Sequence, residues 1–274
     1  VETPIHIKLG NRHDRVPLDA PPPAPGSLTD ISLQHIRIRD AGPVSSVITG
    51  YPGHPVRRVR FHDITVQAEG GGTEDDARLQ VPEYAAGYPM NRMYGVNLPS
   101  FGFYLRHLTD VSFNNIDFSL LSADTRPAVV LQDVHSAVFT GIGSNPNGQP
   151  VFRVHNSSDV TVSADSLWSL TDLIRVSGDR STQFRFPGHD FKFNELLTPP
   201  ENLKAEPVPG NPPGIQLTWT PPAVRDAGLF RTLIKRDGEP LAHSRDSSWL
   251  DASADQARLY VYSIATVGPG SRIS

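Results

Sequence analysis

The chain has 274 residues, with 25 basic and 29 acidic side chains and a formal net charge of −4. This length allows two domains, and the mildly acidic balance argues against nucleic acid as a partner, which would favour a basic surface. The sequence has no cysteine, which excludes disulfides and thiol chemistry, and no apolar run approaches the roughly 20 residues of a membrane span.

Short strands with a fixed repeat dominate the first two thirds of the chain. A strand is predicted at 4–9, and a proline-rich insertion follows it at 10–26. An eleven-residue phrase with apolar positions 1, 4, 6, 9 and 11 then recurs, starting at residues 28, 56 and 108, more weakly at 134 and as a faint echo at 157. The apolar pairs have the strand period of two, and the steps between them predict turns. Repeats of about two dozen residues with three short strands each are typical of a parallel β-helix.

A long insertion at 69–100 separates the second phrase from the third. It begins with a glycine-rich acidic stretch at 69–76, which we expect to be flexible, and loops of this length are usually functional or disordered. Another short strand precedes each phrase, and its side chains should alternate between core and outside. The residues predicted to face the core are Phe103, Leu105, Val129, Leu131, Phe152, Val154, Ile174 and Val176. Those predicted to face outward are Tyr104, Arg106, Val130, Gln132, Arg153, His155 and Arg175.

The composition changes after residue 194, where a proline-containing linker begins. Alternating strands are then predicted at 215–219, 230–238 and 259–267, separated by turn residues, as in a β-sandwich. The predicted fold class is all-β, with a parallel β-helix in residues 1–195 and a linker and smaller β-sandwich in residues 196–274.

Two resemblances to known families support this division. Residues 1–195 resemble the C-terminal coils of glycoside hydrolase family 28, the polygalacturonase family, through segments 4–12, 50–55 and above all 88–107. Residues 200–274 resemble a fibronectin type III module, through Trp219, the turn at 235–238, and Tyr260 with Tyr262. The resemblances imply a right-handed, pectin-lyase-like parallel β-helix, of which only the C-terminal coils are present, and an incomplete fibronectin-like sandwich. Trp219 should then be buried against Tyr260 or Tyr262.

The first resemblance implies part of a secreted bacterial glycosidase that hydrolyses pectic polysaccharide with inversion. Such chemistry needs a general acid and a base that activates water, which the family supplies from Asn-Thr-Asp and Asp-Asp motifs. The chain has no Asn-Thr-Asp, and its only adjacent aspartates, Asp75 and Asp76, lie in the glycine-rich stretch. We therefore assign no catalytic residue, expect the catalytic motifs upstream of this chain, and expect the chain alone to be inactive.

Four residues are predicted to bind substrate: Tyr88, Arg92, Tyr104 and Arg106. By the resemblance, the strand of Tyr104 and Arg106 belongs to the sheet that carries the family's catalytic carboxylates. Tyr88 and Arg92 lie in the insertion, which enters just before that strand and could wall off one end of a groove. Arginine suits a carboxylated sugar because its guanidinium binds carboxylate bidentately.

The partner implied is a pectic polysaccharide or oligogalacturonide, bound by an extracellular or periplasmic monomer. No metal or other cofactor is predicted, because no two histidines have a convincing ligand spacing. Two other interpretations stay open: a non-enzymatic β-helix, such as an adhesin or surface carbohydrate-binding protein, and another pectin-active enzyme, either a rhamnogalacturonan hydrolase or a lyase. The fold does not separate them, since β-helices host many functions.

Overall fold

The described part of the chain is built mainly from β-strands. The structure, a computed structural model, describes residues 2–10, 25–84, 87, 93–94, 97–143, 149–164, 173–187, 198–209, 213–222 and 228–268. Ten strands form one sheet in which every pairing is parallel, here called the parallel stack. Its strands are β1 (His6–Lys8), β2 (Thr29–Ala41), β3 (Ser46–Thr49), β4 (Val56–Ala68), β5 (Phe103–Leu120), β6 (Val129–Ile142), β7 (Phe152–His155), β8 (Ser158–Ala164), β9 (Ile174–Ser177) and β10 (Thr182–Arg185). A short helix, α1 (Glu74–Arg78), lies between β4 and β5 in the chain.

The register of the parallel stack confirms the repeat read from the sequence. Equivalent phrase positions pair from one repeat to the next, so that side chains of the same kind lie above one another. One column runs through Leu33, Phe61, Phe113, Phe139 and Val162. The neighbouring column runs through Ile31, Val59, Val111, Ala137, Val160 and Phe184. Phe184 belongs to a sixth repeat, which the sequence analysis did not predict.

The turns predicted inside each repeat are single residues in the left-handed region of backbone space. At the third phrase position, Asp30, Asp110 and Asp159 have φ of 60°, 58° and 54°. At the eighth position, Asp63 and Asn115 have φ of 52° and 55°. Asp and Asn tolerate this conformation better than most residues. The chain therefore turns a corner with one residue and keeps its register.

The inner faces of the strands pack into one hydrophobic core, as predicted. The eight residues expected to face inward from the short strands are all buried there. The rings of the aromatic column lie close together, with centroids 4.6 Å apart for Phe61 and Phe113 and 5.3 Å apart for Phe113 and Phe139. This arrangement of parallel strands around an apolar interior is compatible with a β-helix.

The insertion at 69–100 begins with structure that the sequence analysis missed. The expectation of a flexible acidic stretch at 69–76 is wrong for 74–76, which belong to α1. Thr73 is the N-cap: its hydroxyl accepts a hydrogen bond from the Asp76 amide at 3.2 Å, and the Asp76 carboxylate accepts one from the Thr73 amide at 2.9 Å. This reciprocal capping box satisfies backbone donors at the start of the helix. Asp76 is therefore a capping residue.

The remaining strands form two three-stranded antiparallel sheets, here called the C-terminal sheets. Their strands are β11 (Glu201–Val208), β12 (Gly214–Thr220), β13 (Arg231–Arg236), β14 (Glu239–Ser244), β15 (Ser248–Asp251) and β16 (Tyr262–Val267). One apolar cluster contains Leu217 and Trp219 of β12 and Ile234 of β13, and Tyr262 packs against it. Tyr260 lies elsewhere, beneath the Arg236 guanidinium. The predicted boundary at 195/196 lies outside the described residues.

Loops that connect strands of the C-terminal sheets pack on the last layer of the parallel stack. Leu229 and Phe230 belong to the core cluster of the stack, together with Phe184. The Arg245 guanidinium donates hydrogen bonds to the carbonyls of Gly178 and Ser181, which follow β9. The apolar end of the stack is thereby covered.

Candidate functional site

The outer face of one part of the parallel stack carries the candidate site. Strands β3, β5, β6, β7 and β9 lie side by side, and their outward side chains form two columns. The first column is Val47, Tyr104, Val130, Arg153 and Arg175. The second column is Thr49, Arg106, Gln132, His155 and Ser177. The alternation predicted from the sequence is therefore correct for β5, β6, β7 and β9, and β3 follows the same pattern.

Tyr104 and Arg106 point away from the core, yet both are fully buried, at 0% exposure. The expectation that they lie open on an outer wall is wrong, because part of the insertion covers them. Tyr104 packs in a second apolar cluster with Val47, Tyr94 and Leu98. Its hydroxyl donates a hydrogen bond to Gln132 Oε1 at 2.7 Å, and burial raises the pKa of Tyr104 well above its usual value.

The Arg106 side chain binds the covering segment directly. Its two terminal nitrogens donate hydrogen bonds to the carbonyl oxygens of Val81 at 2.6 Å and Pro82 at 2.9 Å. Glu83 Oε1 lies 3.4 Å from Nη1. A buried guanidinium needs such acceptors, since an unpaired buried charge is strongly destabilising. In this structure Arg106 therefore anchors 81–83 over the outer face. The other predicted residues, Tyr88 and Arg92, lie outside the described residues.

The next layers of the same face are open and form a groove. One part of it, of about 160 Å³, is bordered by Tyr104 at the covered end and by Leu79, Gln80 and Pro99 along one side. Its floor carries the polar side chains of Gln132, Arg153, His155 and Ser177. His155 Nδ1 lies 3.1 Å from Ser177 Oγ, and burial lowers the pKa of His155, with the charges of Arg180 and Arg245 acting in the same direction.

A second pocket, of about 140 Å³, adjoins the first and is richer in charge. It is lined by Glu74 and Arg78 of α1 and by Arg153 and Arg175 of the sheet. Ala77, Arg78 and Arg153 line both pockets, so the two adjoin along these residues. We call the combined feature the arginine groove, defined by Arg78, Arg153 and Arg175.

The arginine groove concentrates positive charge. Arg153 and Arg175 are direct partners in the parallel register of β7 and β9, where strands lie about 4.8 Å apart. Like charges in directly opposed positions are destabilising. Burial, with the charge of Arg175, lowers the pKa of Arg153. Glu74 offsets part of this charge through an ion pair with Arg78 at 2.9 Å. Arg153 also donates to the carbonyls of Ala77 and Pro99. One carboxylate faces three guanidinium groups, so an anion between them would offset the remaining positive charge.

The described lining of the arginine groove offers hydrogen-bond donors and positive charge. Its carboxylate, Glu74, is already paired with Arg78. Over the described part of the chain, no cluster of three or more His, Cys, Asp or Glu side chains could hold a metal ion. The guanidinium, amide and imidazole groups of this lining can donate hydrogen bonds to an anion.

Arg153 and Arg175 were predicted to lie on the outer face, but neither was predicted to bind substrate. The signal was present, since two arginines occupy the same position in consecutive repeats. Arg78 had no such signal, because α1 reaches the sheet from the insertion.

Neither protein-family models, nor curated proteins, nor solved structures gave a significant match to this chain. Within the described residues, no helix is long and apolar enough to cross a membrane.

Proposed function

We propose that the chain is part of a polygalacturonase-like glycoside hydrolase, and that the arginine groove binds the carboxylates of a pectic chain. The observation that carries this proposal is the alignment of Arg153 and Arg175 on adjacent strands, with Arg78 facing them. A guanidinium fork matches carboxylate geometry bidentately, which a lysine does not. Three such groups in one groove favour a ligand with repeated negative charge.

The fold supports this proposal in two ways. The parallel register and its one-residue corners support the assignment of residues 1–195 to a right-handed, pectin-lyase-like β-helix. The two C-terminal sheets, which share the cluster around Trp219, support the assignment of a fibronectin-like sandwich. Fold alone does not define activity, because such scaffolds carry many functions. The proposed function therefore depends on the groove.

The catalytic step is assigned to residues outside this chain. An inverting glycosidase needs an acid and a base about 6.5–9.5 Å apart, and the described lining of the arginine groove has Glu74 as its carboxylate. The groove would then hold uronate units away from the bond that is cleaved. An extracellular or periplasmic location and a monomeric state belong to the same proposal.

A non-enzymatic surface protein that binds acidic polysaccharide is the second candidate function. The observation that favours it is the same lining, which has several ligand-binding groups and one carboxylate that is already ion-paired. The two candidates share the ligand and differ in whether the intact protein cleaves it.

Calorimetric titration of the 274-residue chain with galacturonate oligomers tests the shared part. We expect binding of the acidic oligomer and none of a neutral galactose oligomer. Arg153→Gln combined with Arg175→Gln should weaken binding at least about tenfold, since a hydrogen bond to a charged group contributes about 1.5–3 kcal/mol.

Arg185→Gln is the matched control, because Arg185 lies on β10 and pairs with Asp159 on another face. It should bind like the unchanged chain. Equal affinity of the double variant and the control would contradict the proposal. Release of reducing sugar from polygalacturonate by this chain would contradict the assignment of catalysis to residues outside it.

A further inference from the structure

The insertion closes the outer face of the sheet across both columns of outward side chains at β3 and β5. On β5, Tyr104 in the first column and Arg106 in the second are both 0% exposed. On β3, Val47 and Thr49 occupy the same two columns and are each 1% exposed. A ligand that lies on this face therefore cannot reach the outward side chains of these two layers.

The part of the insertion that closes the face, here called the cover, consists of two stretches, one around Tyr94 and Leu98 and one at 81–82. Tyr94 and Leu98 are 5% and 1% exposed and pack in one apolar cluster with Tyr104 of the sheet. The Tyr94 hydroxyl lies 3.3 Å from the Thr49 hydroxyl. Apolar packing and a polar contact thus hold this stretch against the face.

Arg106 attaches the second stretch of the cover. Its guanidinium donates hydrogen bonds to the carbonyl oxygens of Val81 at 2.6 Å and Pro82 at 2.9 Å. Main-chain carbonyls do not titrate, and arginine keeps its charge at any ordinary pH. This attachment therefore holds whatever the charge of the neighbouring side chains, and the cover is a fixed part of the face.

Exposure of the outward side chains increases layer by layer beyond β5. On β6, Val130 is 7% exposed and Gln132 is partly buried. On β7, His155 is exposed, and on β9 both Arg175 and Ser177 are exposed. The arginine groove thus begins at β6, next to the cover, and becomes more open towards β9.

The cover forms the end wall of the arginine groove. Tyr104 borders the groove at this end, and Leu79, Gln80 and Pro99 border it along one side. Leu79 and Gln80 lead directly into 81–82, which the Arg106 guanidinium holds over β5. The side wall therefore continues across the face and closes the groove.

We infer that the arginine groove is blind at the Tyr104 end and binds the end of an acidic oligosaccharide, not an internal stretch of a chain. The inference rests on the proposed function for the kind of ligand and on the cover for the direction in which that ligand enters. From Gln132 on β6 to Ser177 on β9, two strand spacings span about 10 Å, a distance that about two sugar units could occupy. A longer chain has to place one terminus against the wall, and its remaining units lead away from the wall.

Galacturonate hexamers that carry a bulky tag on one terminus test this inference. The full chain is titrated calorimetrically with the untagged hexamer, with a hexamer tagged at its reducing end and with one tagged at its non-reducing end. We expect one of the two tags to abolish binding, because the tagged terminus cannot enter the blind end. The hexamer with the opposite tag should bind like the untagged one, because that terminus lies outside the groove.

The outcomes separate this inference from the proposed function. Equal binding of both tagged hexamers would mean that a chain passes through the groove, and would overturn the inference while the proposed function stands. Loss of binding with both tags would also overturn it, since one terminus should lie outside the groove. Failure of the untagged hexamer to bind would contradict the proposed function, and the ligand named here with it.

Oxidative labelling by hydroxyl radicals tests the end wall without any ligand. Tyr104 should remain unlabelled in the folded chain, because the cover excludes solvent from its ring. Tyr84 is the matched control, since it is a tyrosine of the insertion and is 50% exposed. Labelling of Tyr104 at the rate of Tyr84 would show that the groove is open at this end and would overturn the inference.

Discussion

The two halves of one outer sheet face are built from the same strand positions but are covered by the insertion to different extents. On β5, Tyr104 and Arg106 are completely buried beneath the insertion. On β7 and β9, the equivalent His155 and Arg175 are exposed and line a groove, together with the half-buried Arg153, which donates to the carbonyls of Ala77 and Pro99. The repeat decides which way a side chain points, and the insertion decides whether it meets solvent. A side chain's role on this face therefore depends on the loops beside its layer.

The same comparison explains the different uses of arginine. Arg106 is held by backbone carbonyls at short distances and has a structural role. Arg175 is exposed and stands opposite another arginine. A covered arginine should therefore matter for stability and an open one for binding.

The largest effect is expected for an inward residue on the strand that carries the covered half. Leu105 lies between Tyr104 and Arg106, faces the core and is 0% exposed. Leu105→Asp would place an unpaired charge in a dry interior, at a cost that can exceed a typical total stability of about 5–15 kcal/mol. We expect loss of the cooperative thermal transition measured by circular dichroism.

Asn114→Asp is the control, because it introduces the same carboxylate on the same strand, at a position that is exposed and faces outward. It should shift the unfolding free energy by less than about 0.5 kcal/mol. A folded Leu105→Asp with an unchanged midpoint would refute the inward assignment.

An intermediate effect is expected for the covered arginine. Arg106→Leu leaves the carbonyls of Val81 and Pro82 and the nearby Glu83 without their buried cation, which should cost about 3 kcal/mol in unfolding free energy. Arg175→Leu on the open half should change that free energy by less than about 0.5 kcal/mol. Chemical denaturation of both variants measures the difference, and equal destabilisation would remove the distinction between the two halves.

Part of this architecture could be predicted from residue patterns, and part could not. The column through Phe61, Phe113 and Phe139 follows from the phrase, since strand period fixes which side chains share a face. The corners at Asp30 and Asp110 follow from local backbone preference. These are properties of single residues and near neighbours, which a sequence expresses directly.

The covered half could not be predicted in this way. Arg106 meets Val81 and Pro82, which precede it by about two dozen residues in an insertion without a repeat. Arg78 reaches Arg153 only because α1 folds back across the sheet. The helix itself was predictable from Thr73 and Asp76, which form the capping pattern three residues apart. Its position against β7 depends on tertiary contacts that no local signal encodes.

The smallest effect is expected where the insertion begins. Thr73→Ala removes the side chain that accepts from the Asp76 amide and should destabilise α1 by about 1 kcal/mol, whereas Thr73→Ser should keep the cap. The loss should stay local, because the preceding Gly71 and Gly72 are held by Ala123 and Asp124 of another layer. Hydrogen exchange should rise in 76–78 and remain unchanged in β5 and β6. Oligogalacturonate binding should weaken slightly, since Arg78 loses its support and Arg153 loses one backbone acceptor, the Ala77 carbonyl of α1, while Arg153 and Arg175 stay on their strands. Binding weakened as much as in the Arg153 and Arg175 double variant would mean that the position of α1, rather than the paired sheet arginines, determines what the groove holds.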